Sequence, residues 1–230
     1  MELLGQRAVF VDRDGTLIRD VGHLCRQDQV EILPRVPEAL RLLKDSGFKV
    51  VVVTNQSAVA RGRLTEELLA EIHRQLFDRL ARLGAEVDAV YYCPHHPTEG
   101  SGRYRADCDC RKPQTGMIRR AAAELGLAVT RSYVVGDQLT DMELATRSGA
   151  QGIWIRRGGE VPGEPSVGVT RVVEDLWEAA RWIVGLEGPT DPCSRESGAE
   201  LATGTGAGER YQPIDRGSVG DCRGAAEPAG

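Results

Sequence analysis

A chain of 230 residues, 41% hydrophobic and 27% charged, has the material for one ordinary domain with a real core and the composition of a globular protein. Its formal charge of −5 argues against a nucleic-acid binder, which would carry a basic patch. No apolar run reaches the roughly 20 residues that span a bilayer, and residues 1–5 are too short and acidic for a signal peptide, so a cytoplasmic location is expected.

Strand and helix signals alternate along the chain. Residues 8–11 (AVFV) are an apolar run with β character that ends in Asp12-Arg13-Asp14-Gly15-Thr16. Alternate residues of a strand share a face, so Asp12 and Asp14 are expected to point into one crevice. Two acids that close repel, and need a cation or a shared proton. Gly15 lets the chain leave the strand in a conformation other residues resist. An Asp-x-Asp-Gly-Thr match arises by chance at on the order of 1 in 100,000 positions, which lifts it above an ordinary acidic turn. Residues 36–46 carry Ala39, Leu40, Leu42 and Leu43 at helical spacing, with Gly47 at the stop. Residues 48–54 are a continuous β-branched strand. Thr65-Glu66-Glu67 opens a long helix whose buried stripe is predicted as Leu68, Leu69, Ile72, Leu76, Leu80 and Leu83, with Gly84 at its end. Strands follow at 87–92, 132–135, 152–155 and 169–173, and helices at 115–125, 139–148 and 175–184.

This alternation predicts an α/β fold, a doubly wound and mostly parallel sheet with helices on both faces. Ligands in such folds bind beyond the carboxyl ends of the strands. The polar signatures fall there: Asp12 after the first strand, Thr54-Asn55-Gln56 after the second, Gly136-Asp137 after the fourth. From about residue 186 the chain turns rich in Gly, Ala, Ser, Pro and Glu, with eight acidic residues against four Arg. Such a segment buries too little to offset its ordering entropy. The expected division is a domain over 1–186 and a disordered acidic tail over 187–230, in which Cys193 and Cys222 are incidental.

Taken singly, Thr54 is a strand-terminal Thr, Lys112 a solvated charge and Asp137 a helix cap. Together with Asp12 and Asp14 they meet the needs of phosphoryl transfer through a covalent intermediate. One carboxylate attacks phosphorus, and a second gives a proton to the leaving alkoxide and later takes one from water. A hydroxyl and a cation hold the equatorial oxygens, and Mg²⁺ neutralises charge between carboxylates and phosphate. A second cluster, Cys93-Pro94-His95-His96-Pro97 followed by Cys108-Asp109-Cys110, has thiolates and imidazole in two close pairs, which suits a tetrahedral, structural Zn²⁺. The intervening loop has no core of its own and needs such a staple. His95 fits the Cys-x-His spacing, while His96 is left as a supporting or substrate-facing residue. Reduced cysteines and metal ligation both fit a reducing cytosol.

The four-part pattern resembles the haloacid dehalogenase (HAD) superfamily of phosphohydrolases. The resemblance implies Asp12 as nucleophile, Asp14 as general acid/base, Thr54 and Lys112 as stabilisers of the phosphoryl group, and Mg²⁺ held by Asp12, Asp137 and the Asp14 main-chain carbonyl. Asp141 matches a more variable position and is only supporting. Longer stretches at residues 12–23, 54–66, 92–97 and 103–117 resemble the D-glycero-D-manno-heptose 1,7-bisphosphate 7-phosphatases. That likeness implies a small-molecule sugar bisphosphate as substrate, contacted by Asp20, Val21, Gly22, His23, Asn55, Gln56, Ser57 and Arg111, with the guanidinium fork reading the distal part of the sugar phosphate. It implies removal of the 7-phosphate on the way to nucleotide-activated heptose, on a fold with a minimal cap and a zinc-stapled loop over 93–110. No nucleic-acid or membrane partner is expected, and a monomer is. Gln138 stands where a Lys often follows Gly-Asp, and Ala58 and Gln114-Thr115 also depart from the pattern, which bears on fine specificity. Anomer preference stays open. The rival readings are a histidinol-phosphate phosphatase, another sugar- or nucleotide-phosphate hydrolase, and a non-catalytic binding module on the same fold.

Overall fold

The structure, a computed structural model, describes residues 5–22, 24–156 and 168–187. The expectations for His23 and for the tail beyond residue 187 lie outside the described residues. Six strands, β1 (Ala8–Val11), β2 (Lys49–Asn55), β3 (Ala89–Cys93), β4 (Tyr133–Gly136), β5 (Gln151–Ile155) and β6 (Val169–Val173), form one sheet. Its order is β3-β2-β1-β4-β5-β6, and each neighbouring pair is parallel. The expected doubly wound α/β architecture is the observed one.

Period-two alternation divides the strands between two cores. Val9, Val11, Val50, Val52, Tyr133 and Val135 face one layer, made by α1 (Val36–Asp45), α3 (Glu66–Arg82) and α6 (Leu176–Glu187). Ala8, Phe10, Val51, Val53 and Val134 face the other. There α4 (Gly116–Leu125) supplies Met117, Ile118 and Ala121, and α5 (Leu139–Ser148) supplies Leu144 and Ala145. A short helix α2 (Ser57–Ala60) follows β2; four residues are too few to show a helical period, so the sequence pattern missed it. The last helix runs to Glu187, three residues beyond its predicted end. Among the described residues no helix is long and apolar enough to cross a membrane.

The stripe of α3 needs correcting. Its buried residues are Leu69, Ile72, His73, Leu76 and Leu80. Leu68 lies one residue, and so about 100°, off that line and is exposed; Leu83 is the C-cap, beyond the last helical turn, and is exposed too. Thr65 begins the helix as expected, its hydroxyl accepting the Leu68 N–H at 3.2 Å. Leu69→Ala is therefore expected to cost about 2–5 kcal/mol in urea unfolding. Leu68→Ala should stay within about 0.5 kcal/mol of the parent; equal losses would contradict this assignment of the buried face.

Candidate active site

The sheet order reverses at β1, whose two neighbours are β2 on one side and β4 on the other. This is the switch point at which an open α/β sheet leaves a crevice beyond its carboxyl ends. The Asp12 N–H donates to the Val135 carbonyl at 2.9 Å, stitching the end of β1 to β4. Asp12 and Asp137 are thereby brought together, and Asp141 joins them from the first turn of α5. One carboxylate oxygen from each lies within 4.8 Å of the others. Gly136 makes room for this: a Cβ there would sit 2.2 Å from Asp141 Oδ2. The helix cap is Gln138, not Asp137, and its N–H donates to Asp141 Oδ2 at 3.1 Å. Asp141, only supporting in the sequence reading, is fully buried in the cluster.

Lys112 supplies the opposing charge. Its Nζ lies 2.7 Å from Asp12 Oδ1, 2.7 Å from Asp141 Oδ1 and 3.0 Å from the Val53 carbonyl. Burial works against the ammonium, but the two carboxylates outweigh it and raise its pKa above the usual lysine value. Burial dominates at Asp12, whose pKa is pushed up to about 7 despite Lys112. Asp141 is raised as well, again chiefly by burial. Asn55 fixes the Lys112 backbone from both sides: its Oδ1 accepts the Lys112 N–H at 3.0 Å and its Nδ2 donates to the Lys112 carbonyl at 3.2 Å.

Asp14 is placed by a turn and not by strand alternation, because β1 ends at Val11. The Leu17 and Ile18 N–H groups both donate to the Arg13 carbonyl, and Gly15 adopts φ 92°. The Gln56 amide then joins three groups. Its Nε2 donates to Asp14 Oδ2 and to Thr54 Oγ1, each at 2.8 Å, and its Oε1 accepts from Arg13 at 2.8 Å. Gln56 and Asn55 thus spend their amides on neighbouring residues of the candidate site. Ser57 accepts from Arg61 at 2.7 Å. The exposed turn at residues 20–22 closes on itself, Asp20 Oδ1 accepting the Gly22 N–H at 2.7 Å, with Val21 outward.

The thiols of Cys93, Cys108 and Cys110 and Nδ1 of His95 also lie within 4.8 Å of one another. Their S···S separations are 3.5 and 3.2 Å and their S···N separations 3.7 and 3.4 Å. A tetrahedral Zn²⁺ with S at about 2.3 Å and N at about 2.0 Å sets these edges at about 3.8 and about 3.5 Å, so the four groups fit that ion with small adjustments. Burial lowers the His95 pKa, favouring the neutral imidazole that ligation requires. His96 is elsewhere: its Nδ1 accepts the N–H groups of Thr98 and Glu99 at 3.3 and 3.0 Å, a structural role in the turn. Arg111 donates to the His95 carbonyl at 3.0 Å, so the loop leads directly to Lys112.

Sequence reasoning missed Arg13 and His73. Arg13 is fully buried between the two motif acids, and a polar His73 on the apolar line of α3 was the available signal.

Comparison with known proteins supports this picture. The profile of the haloacid dehalogenase-like hydrolases matches residues 9–78, and a HAD-hydrolase-like profile matches 109–179. The D-glycero-beta-D-manno-heptose-1,7-bisphosphate 7-phosphatase of Haemophilus influenzae is 40% identical over 79% of this chain and 98% of its own. The protein of the same name from Photorhabdus laumondii is 38% identical over 80% of this chain and 98% of its own. The crystal structure of D,D-heptose 1,7-bisphosphate phosphatase from B. bronchiseptica, complexed with magnesium and phosphate, superposes with a TM-score of 0.67 at 31% identity. It covers 79% of this chain and 99% of that one.

The Asp12 shift has a testable sign. With a folded value of about 7 against an ordinary 3.8, its contribution to stability is complete below pH 3.8 and is lost as pH rises through 7. In metal-free protein, Asp12→Asn should therefore gain melting temperature relative to the parent as pH is raised from 5 to 8. A difference that stays flat or shrinks would contradict the buried, raised carboxyl.

Proposed function

This chain belongs to the D-glycero-D-manno-heptose-1,7-bisphosphate 7-phosphatase family of HAD-like hydrolases, and from that premise we propose that it removes the 7-phosphate of the β-anomer of the heptose bisphosphate. The observation that carries the reading is the buried Asp12–Lys112–Asp141 bridge at the switch point, with Asp14 and Thr54 tied to each other through Gln56. The β-anomer is favoured because the names of the relatives specify it. The product serves the supply of nucleotide-activated heptose.

Asp12, Asp137 and the Asp14 carbonyl are the groups that would hold Mg²⁺, an ion that favours oxygen ligands and keeps several waters. When bound, it neutralises charge between the carboxylates and the phosphate. An Asp12 carboxylate oxygen attacks phosphorus, the bond from phosphorus to the sugar O7 breaks, and Asp14 gives its proton to that oxygen. Thr54 Oγ and Lys112 Nζ hold the equatorial oxygens as charge develops. Water then attacks phosphorus and loses a proton to Asp14. The bond to Asp12 breaks, inorganic phosphate leaves, and both carboxyl groups return to their starting states. Asp141 keeps Lys112 aimed at Asp12. Asp20, Val21, Gly22, Ser57 and Arg111 line the substrate side, and His23 is assigned there by resemblance.

Cys93, His95, Cys108 and Cys110 would hold a structural Zn²⁺. Four protein ligands leave no open position, so its part is to fold the loop 93–110 that delivers Arg111 and Lys112.

Phosphate release measured with both anomers of the heptose bisphosphate, beside histidinol phosphate, tests the assignment. The β-anomer should show the highest kcat/KM, activity should require Mg²⁺, and Asp12→Asn should abolish it. Preference for histidinol phosphate would replace the substrate, and an active Asp12→Asn enzyme would end the covalent mechanism. Elemental analysis of protein purified without chelator should find about one zinc per chain. Cys108→Ser should lose that zinc and lower the melting temperature; a zinc-free parent would remove the staple.

A further inference from the structure

Arg13 is fully buried, and a buried guanidinium is costly unless its donors are answered. Its fork faces Asp14, with Nε and one terminal nitrogen at 3.3 and 3.0 Å from Oδ1 and that same nitrogen 2.8 Å from Oδ2. The Gln56 amide oxygen takes a further bond at 2.8 Å. The other terminal nitrogen lies 2.9 Å from His73 Nε2. A guanidinium can only donate, so His73 Nε2 is the acceptor and the ring proton is assigned to Nδ1. Burial first, and then the adjacent Arg13 charge, hold His73 well below its ordinary pKa and so neutral.

His73 is itself held rigidly. It sits on the buried line of α3, stacked on Phe77 at 6.0 Å between ring centroids and tilted against Tyr92 at 5.9 Å. Arg13 in turn decides which way the Gln56 amide points, since the reversed amide would set a donor against a donor. That orientation directs Gln56 Nε2 to Asp14 and Thr54 at once.

We propose that Arg13 and His73 are positioning residues for Asp14, with the acceptor nitrogen of His73 setting the orientation of the Arg13 fork that holds the proton-transferring carboxylate. The proposal rests on the reading above that Asp14 moves the proton. Loss of the acceptor leaves one buried donor unanswered and lets the fork turn, so Asp14 is no longer aimed. Both proton transfers slow: from Asp14 to the departing sugar oxygen, and from the attacking water to Asp14. Substrate binding is left as it was.

The test compares His73→Leu, which keeps apolar packing without an acceptor, with His73→Gln, which restores an acceptor oxygen. In steady-state hydrolysis of the heptose bisphosphate with Mg²⁺, His73→Leu should lose about tenfold or more in kcat with KM within about twofold. His73→Gln should recover kcat to within about threefold of the parent. Equal losses in both variants, or a folded His73→Leu enzyme with parental kcat, would overturn the proposal. If His73→Leu does not fold, nitrogen NMR of the parent at neutral pH decides: the proposal requires Nδ1 protonated and Nε2 bare, and any other state overturns it. Asp14→Asn separates the two levels. Parental kcat in that variant would sink the underlying assignment of Asp14, whereas an inactive Asp14→Asn beside an unaffected His73→Leu sinks the positioning role alone.

Discussion

One ammonium group, Lys112 Nζ, holds the candidate site together. Asp12, Asp137 and Asp141 come from two strand ends and one helix, and packed this closely they would repel. Lys112 touches two of them and the Val53 carbonyl in a site from which water is largely excluded. Removing one partner of such a buried pair costs about 3–5 kcal/mol, because the other charge is stranded. The cost of burial is visible at Asp12, whose pKa rises to about 7 even with the ammonium beside it. A buried carboxylate that is unfavourable when ionised is one that a divalent cation would stabilise.

The rest of the architecture brings that nitrogen to its place. Asn55, at the end of β2, grips the Lys112 main chain, and the loop 93–110 delivers Arg111 and Lys112 from the far side. The loop docks by shape as much as by charge: a Cβ on Gly100 would stand 2.1 Å from the Ala60 carbonyl, so only glycine permits the contact with α2. The neighbouring Arg61–Glu99 pair is largely exposed on the Glu99 side, and a pair of that kind is worth at most about 1 kcal/mol. Backbone fit contributes more to the loop's position than this ion pair does. A second buried network runs from His73 through Arg13 and Gln56 to Asp14 and Thr54, and it ties these side chains together as Lys112 ties Asp12 to Asp141.

Much of this was legible in the residues. Continuous β-branched runs mark strands buried on both faces, and Asp12, Thr54 and Asp137 fall where strands end, with Lys112 in a later turn, so candidate residues could be picked out before any coordinate. The Cys93, His95, Cys108 and Cys110 set was likewise visible from ligand type and spacing. The points at which the structure departs from the residues, or adds to them, share a cause. Leu68 and Leu83 are apolar but off the helix's buried line or past its end. Asn55 and Gln56 are polar at the crevice but turned to their neighbours. His96 beside His95 caps a turn, and Asp141 looked peripheral until α5 carried it back over Gly136.

The residues alone carried the order of the main strands and helices, the reaction type and a set of candidate groups for it, because hydrophobic period and chemical identity are local properties. Tertiary structure alone decided which polar groups answer one another. Asp14 and Arg13 are neighbours in the chain, but His73 lies 60 residues from Arg13 and Gln56 lies 43. Lys112 is 100 residues from Asp12. In a buried site every donor must find an acceptor and every charge a counter-charge, and those partners are chosen by the packing of β1 between β2 and β4. Such pairings have no period to read, and they exist only once the sheet has closed around them.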